Sequence, residues 1–124
     1  MVALGPFFFI ITIMKDLQVF KNEEFGQLRT ASDENGEPMF SLIDAAAILG
    51  IKNPKVDNFN FNPKGVGLTD TLTEGGTQKM TFIDERNLYR MIFRSRKEWA
   101  IKFQDWVFDE VLPSIRRTGT YTLP

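Results

Sequence analysis

The sequence predicts an α+β domain in which a small antiparallel sheet packs with about four helices, and three observations lead there. Apolar–polar alternation in the first third, as in Leu17-Gln18-Val19-Phe20, has the two-residue period of strands. Ser41, Asp84 and Ser95 each precede an apolar pattern of helical period, the position of an N-cap. The resulting order of strands, helix pair, strand and helix pair segregates the two element types. At 124 residues the chain is one domain's worth of polypeptide, long enough to bury a core without staples.

In chain order, residues 1–13 form an apolar N-terminal extension, and residues 14–124 a single domain. Phe7 to Ile13 is aromatic and β-branched, so it reads as a strand or edge. A bilayer span needs about 20 apolar residues, so this run is too short for one, and no basic residue precedes it as in a signal peptide. Met14 is a candidate alternative start. Leu17 to Phe20 is the first strand and Phe25 to Ala31 the second. Asn35-Gly36 supplies a tight turn that returns through Met39 and Phe40. Ser41 with Asp44 resembles a capping box opening a helix through Leu49, which Gly50 closes. Asn53-Pro54 has the form of an N-cap followed by proline, predicting a short second helix from Pro54 to Phe59. Residues 60–77, with Pro63 and several glycines, read as a loop, and Lys79 to Ile83 as a short strand. Asp84 caps a third helix to about Phe93. Ser95 and Glu98 form another capping box, opening a fourth helix that Pro113 ends or kinks.

Composition removes most catalytic classes. The chain has no cysteine and no histidine, which excludes disulfides, thiolate nucleophiles, Ser-His-Asp triads and Cys/His metal sites. No Asp-x-Asp-x-Asp metal loop is present either. The expectation is a protein that is no enzyme and needs no cofactor. Net charge is −1, but it is unevenly spread. Residues 1–50 carry three basic side chains against seven acidic ones, residues 51–124 twelve against nine. Between Arg86 and Lys102 there are six basic residues and one acid, Glu98. Such a stretch is either a solvated face or an anion-attracting surface.

Two surfaces carry the binding expectation. The first two predicted helices have helix-turn-helix-like spacing, in which the second helix presents its N-terminal residues to base edges. Lys52, Asn53, Lys55 and Asn58 supply ammonium and amide groups suited to bases or phosphate. Lys64 follows in the loop. On the third helix, Leu88, Met91 and Ile92 share one side, and Arg86, Arg90 and Arg94 the opposite one. Arginine's planar fork matches phosphate oxygens. Arg96, Lys97, Arg116 and Arg117 extend the same field. The fourth helix is apolar on two sides: Trp99, Phe103, Trp106 and Val107 face one way, Ile101, Phe108 and Leu112 the other. Core packing accounts for the first set. The second invites a partner, and residues Phe7, Phe8, Phe9, Ile10 and Ile11 of the apolar extension are the expected cover, either within one chain or, as favoured for a terminal arm, exchanged across a homodimer.

Several ordered patches resemble one family. Phe25-Gly26 with Arg29, Asn35-Gly36-Glu37-Pro38 with Phe40, Asp44-Ala45-Ala46 with Leu49-Gly50 and Asn53-Pro54, Phe82-Ile83-Asp84-Glu85 with Leu88-Tyr89-Arg90, and Phe103 with Trp106-Val107 and Glu110-Val111-Leu112-Pro113 together resemble the Bro-N domain. That is the N-terminal module of baculovirus repeated-ORF proteins and of phage antirepressors. The resemblance implies a DNA-binding module of a phage or prophage antirepressor or transcription regulator. Double-stranded DNA is the expected partner, and the expected location is the cytoplasm of a bacterial host or phage-infected cell. The alternative is a module that sequesters a repressor protein without touching DNA. Salt separates the two, because phosphate contacts release counterions and weaken steeply as salt rises.

Overall fold

The structure is a computed structural model that describes residues 14–56, 59–73, 76–95 and 97–117. The expectations placed on Phe7–Ile13, Asn58 and Arg96 lie outside the described residues. Five antiparallel strands form one sheet in the order β1-β2-β3-β5-β4: β1 Lys15–Asn22, β2 Gly26–Ser32, β3 Pro38–Ser41, β4 Val66–Thr73 and β5 Gly76–Asp84. Helix α1 (Leu42–Ile48) follows β3 directly, and α2 (Glu85–Ile92) follows β5. A final helical rod runs through α3 (Lys97–Trp106), a π-helical turn (Val107–Val111) and α4 (Leu112–Arg117).

Short polar side chains set the turns. Asn22 Oδ1 accepts from the backbone N–H of Glu24 at 2.7 Å and of Phe25 at 3.0 Å, and Gly26 follows with φ +92°. Asp33 Oδ1 accepts from the N–H of Asn35 and Glu37 at 2.8 and 2.9 Å, fixing the β2–β3 connection around Gly36. Ser41 Oγ accepts from Asp44 N–H at 3.2 Å, the expected N-cap. At the other end of α1, Ile51 N–H donates to Ala46 C=O at 2.8 Å and Gly50 N–H to Ala47 C=O at 3.2 Å, the bond pair that closes a helix on a left-handed glycine.

The predicted second helix from Pro54 to Phe59 does not form among the described residues. Asn53 takes left-handed backbone (φ 53°) where an N-cap needs an extended one, Pro54 and Lys55 are in no helix, and Asn60 is left-handed as well (φ 55°). Phe59 and Phe61 stack with ring centroids 5.0 Å apart. Residues two apart point to different sides of a helix, so this stack belongs to irregular chain. The helix-turn-helix-like pair goes with it, and because α3, the π turn and α4 run on as one rod, the described residues form three helical bodies rather than about four.

The expected loop at 60–77 is largely sheet. β4 pairs with β5 from Val66↔Ile83 through Thr73↔Gly76. Alternating threonines carry the strand propensity, and the glycines that suggested a loop serve close approach: Gly67 lies opposite Phe82 in the register. Gly65, in the 3-10 turn Pro63–Gly65, is tighter still, since an added Cβ would lie 2.2 Å from Asp84 Oδ2. That carboxylate is engaged as the α2 N-cap, its Oδ1 accepting from Asn87 N–H at 2.9 Å. Gly65→Ala should therefore displace the cap and lower stability by about 1–2 kcal/mol in thermal unfolding; an unchanged midpoint would show Asp84 free to move.

The sheet is covered on one face by the helices. Leu28, Phe40 and Ile83 meet Ala45 and Ala46 of α1, Leu88 and Met91 of α2, and Phe103, Val107 and Val111 of the rod, all buried. On the other face Ala31, Met39, Met80 and Phe82 form a smaller buried cluster with Met14 against it. Trp99 and Trp106 pack on Phe25, at centroid distances of 4.9 and 5.4 Å, in keeping with a core role. Trp99 Nε1–H donates to Ile48 C=O, tying α3 to the end of α1.

Pro113 neither ends the rod nor leaves it as an ordinary α-helix. It has no N–H to donate and its ring crowds the carbonyl four residues back. The turn before it is π-helical, Val107–Val111, and the helix resumes to Arg117. A π turn takes one extra residue, which turns everything beyond it back by about 100° relative to an unbroken α-helix. Leu112, expected on the outer side with Ile101 and Phe108, is thereby carried into the core at 0% exposure. Ile101 and Phe108 remain outside, at 51% and 45% exposure. The proposed oligomer face thus loses Leu112.

Candidate nucleic-acid interface

The interface is assembled around the irregular strap between α1 and β4. Asn87, buried on α2, grips this strap twice: Asn62 N–H donates to its Oδ1 and its Nδ2–H donates to Asn62 C=O, both at 2.9 Å. One turn further along α2, Arg90 Nη1–H donates to Asn60 C=O. Beyond the end of α2, Arg94 sets its guanidinium over the Phe59 ring, 5.8 Å from the centroid. Three successive grips on one helix edge hold residues 59–62 beside Ile51, Lys52 and Asn53. Between them lies a recess of about 300 Å³ lined by Ile51, Lys52, Asn53, Phe59 and Arg94. Among the described residues its lining carries two cations, one amide and no carboxylate.

A second recess of about 310 Å³ brings together Lys64, Arg86, Asp33, Glu37, Asp84 and Glu85. Four carboxylates against two cations make this a poor place for phosphate. Tyr89, half-buried between these regions of α2, donates its hydroxyl to Glu85 Oε2 at 2.6 Å. Burial first, and then the Glu85 hydrogen bond, push its phenol well above the usual tyrosine range, so it stays a neutral donor. The Tyr89 ring stacks on Phe108, centroids 5.7 Å apart.

The BRO family, N-terminal domain, matches residues 27–113 of this chain. The chain belongs to that family. An uncharacterized protein of Haemophilus influenzae is 43% identical over 113 residues, which cover 89% of this chain and 56% of that protein. A putative Bro-N domain-containing protein 019R of invertebrate iridescent virus 3 is 43% identical over 53 residues, covering 43% of this chain and 12% of the viral protein. The similar protein 201R of invertebrate iridescent virus 6 is 42% identical over 45 residues, covering 36% and 11%. The chain therefore spans little more than half of one relative and about a tenth of the other two. No solved structure matches it.

In this Bro-N domain the sequence-derived cations divide into groups. Lys52, Asn53 and Arg94 share the recess beside Phe59, although more than 40 residues separate Arg94 from the other two in the chain. Arg90 is exposed beside it. Arg86 and Lys64 sit in the acidic recess instead. Arg94 lies in the turn after α2, not on the helix itself, with its N–H donating to Met91 C=O at 2.9 Å. Lys55 is exposed in irregular chain. Arg116 and Arg117 are exposed on α4, with Arg117 Nη2–H donating to Ser114 Oγ at 3.2 Å. Lys97 opens α3; Ser95, expected to cap that helix, donates its hydroxyl to Ile92 C=O at 2.9 Å and so closes α2. Among the described residues the ion pairs are Arg29–Asp44, Lys79–Asp70 and Lys102–Glu24, so Arg86, Arg90 and Arg94 are in none of them.

Two residues that build this surface carry little signal in the sequence. Asn87 has none beyond its place after the Asp84 cap. Phe59 reads as the end of a helix, whereas it is 5% exposed and forms the wall of the recess. Among the described residues no group of three or more acids is placed to hold a metal ion, and no helix is long and apolar enough to cross a membrane.

Proposed function

We propose that this Bro-N domain is the DNA-binding module of a phage or prophage antirepressor or transcription regulator, acting in the cytoplasm of a bacterial host or phage-infected cell. Arg90 and Arg94, with Lys52 beside them, contact the phosphates of double-stranded DNA; Asn53 offers an amide to a base edge. The supporting observation is the convergence of Lys52, Asn53 and Arg94 on one recess whose lining, among the described residues, holds no carboxylate. Arg90 and Arg94 also brace the strap, through the Asn60 carbonyl and the Phe59 ring; Lys52 is exposed, and an exposed charge adds little to stability, about 0–1 kcal/mol per pair. Arg86, Arg116, Arg117, Lys55, Lys64, Arg96 and Lys97 extend the field to a lesser degree.

Replacing Arg86, Arg90 and Arg94 together by alanine should weaken binding to all duplex sequences alike. The slope of log affinity against log salt should flatten by about 0.9 for each phosphate no longer neutralised. Fluorescence anisotropy with two unrelated duplexes at two salt concentrations reads both, and unchanged affinity and slope would sink the proposal. Arg86, set among four carboxylates, should contribute least of the three when replaced singly.

The second reading, a protein-interaction module that sequesters a repressor or pairs with its own copy, draws on the exposure of Ile101 and Phe108 along one side of the rod. Binding through that face would be nearly insensitive to salt and abolished by Phe108→Asp.

A further inference from the structure

We infer that the recess between Arg94 and the Ile51–Asn53 turn receives one unpaired nucleobase of a bound DNA strand, an inference that rests on the DNA-binding reading above. A phosphate needs only cations and amide donors. This recess has in addition an aromatic wall, Phe59, itself backed by the Phe61 ring at an interplanar angle of 15°, and an aliphatic one, Ile51. Aromatic rings are the platforms on which proteins hold bases taken out of the helical stack. At about 300 Å³ the space is at the small end of ligand sites, suited to a single flat group.

The polar groups are those a nucleotide requires. Asn53 carries both a donor and an acceptor, enough to read one edge of a base. Lys52 and Arg94 supply charge for the phosphates on either side. Arg94 already lies as a flat group over the Phe59 ring, 5.8 Å from its centroid. A base entering there stacks on the outer face of the guanidinium, which the Phe59 ring supports from the other side. Phe93, next to Arg94 in the chain, is 87% exposed and so has no core role. An exposed aromatic between phosphate-binding arginines is the kind of side chain that separates stacked bases.

The test compares two DNA probes of equal length and sequence at one salt concentration, a fully paired duplex and the same duplex with one bulged nucleotide. The full chain should bind the bulged probe about tenfold more tightly, because its base is already unstacked. Arg94→Lys keeps the charge and removes the flat group. It should weaken binding to both probes, but to the bulged probe by about tenfold more, so that the preference for the bulge is lost. Equal affinity of the wild-type chain for both probes overturns the inference and leaves the duplex reading standing. A full bulge preference in Arg94→Lys also overturns it, because the recess would not be the site. Failure to bind either probe at low salt overturns the DNA reading and the inference together.

Discussion

Replacing Asp44 by alanine should lower the unfolding free energy by about 3–5 kcal/mol, the usual cost of leaving one member of a buried ion pair alone. Asp44 is 7% exposed and accepts three hydrogen bonds from Arg29: from the backbone N–H at 2.9 Å, from Nε at 2.8 Å and from Nη2 at 2.8 Å. The first bond matters to the sheet. β3 ends at Ser41, so the Arg29 N–H runs out of strand partner where α1 begins, and the helix supplies a carboxylate in its place. The other two form a fork on the guanidinium, and the Asp44 hydrogen bond holds Arg29 above its ordinary range, permanently charged. Without the carboxylate, Arg29 Nη1 keeps only the weak Met80 Sδ interaction at 3.6 Å. Arg29 is a quarter exposed, so water recovers part of the loss and the lower end of the range applies. Urea unfolding measures it. Replacing both partners together, Arg29→Met with Asp44→Leu, should cost much less than Asp44→Ala alone. A single-variant loss below about 1 kcal/mol would mean that water satisfies Arg29 fully and that the pair does not brace the strand–helix junction.

Asp44 also illustrates how far the sequence can be read. Ser41 and Asp44 stand three apart, and the cap they announce is present, but Asp44 turns away from the helix end to a strand 15 residues earlier. Local patterns recover what local bonds decide: the first three strands, both caps at Ser41 and Asp84, and the glycine stop at Gly50. They fail where a distant partner decides. Asn53-Pro54 has the grammar of a helix start, yet Phe59 is worth more in the core and against Arg94 than in a short exposed helix, and two left-handed asparagines deliver it there. The Lys79–Ile83 part of β5 is legible, but β4 is hidden because Gly65 and Gly67 look like loop residues until Asp84 and Phe82 are placed opposite them. Leu112 is misplaced by a uniform 100° step, which Pro113 interrupts. For the candidate site, the residue types of the basic cluster are legible and its partition is not. Arg86 and Arg94, eight apart on the same predicted helix side, belong to recesses of opposite character.

Asn87→Leu should be nearly as damaging as loss of Asp44, at about 3 kcal/mol, and should also reach the DNA-binding surface. The substitution keeps the branched shape of a fully buried side chain, though not its smaller volume, and removes both of its bonds to the strap. Asn62 is then left with an N–H and a C=O that are each without their 2.9 Å partner. Each unsatisfied group costs about 1–3 kcal/mol where water cannot replace the bond. The Asp84 cap survives, since it uses the Asn87 backbone N–H, so α2 should keep its helical signal while the global midpoint falls. The strap that Asn87 anchors carries Asn60, whose carbonyl receives Arg90, and Phe59, on which Arg94 lies. Once the strap is released, neither arginine has a fixed position. DNA affinity measured well below the variant's own unfolding midpoint should therefore drop although no candidate DNA-binding residue has changed. Stability loss with unchanged affinity would show that Arg90 and Arg94 hold their places without the strap, and that Asn87 serves the fold alone. Loss of both, with Gly65→Ala affecting stability only, would assign to Asn87 the positioning of the surface that Phe59, Arg90 and Arg94 form.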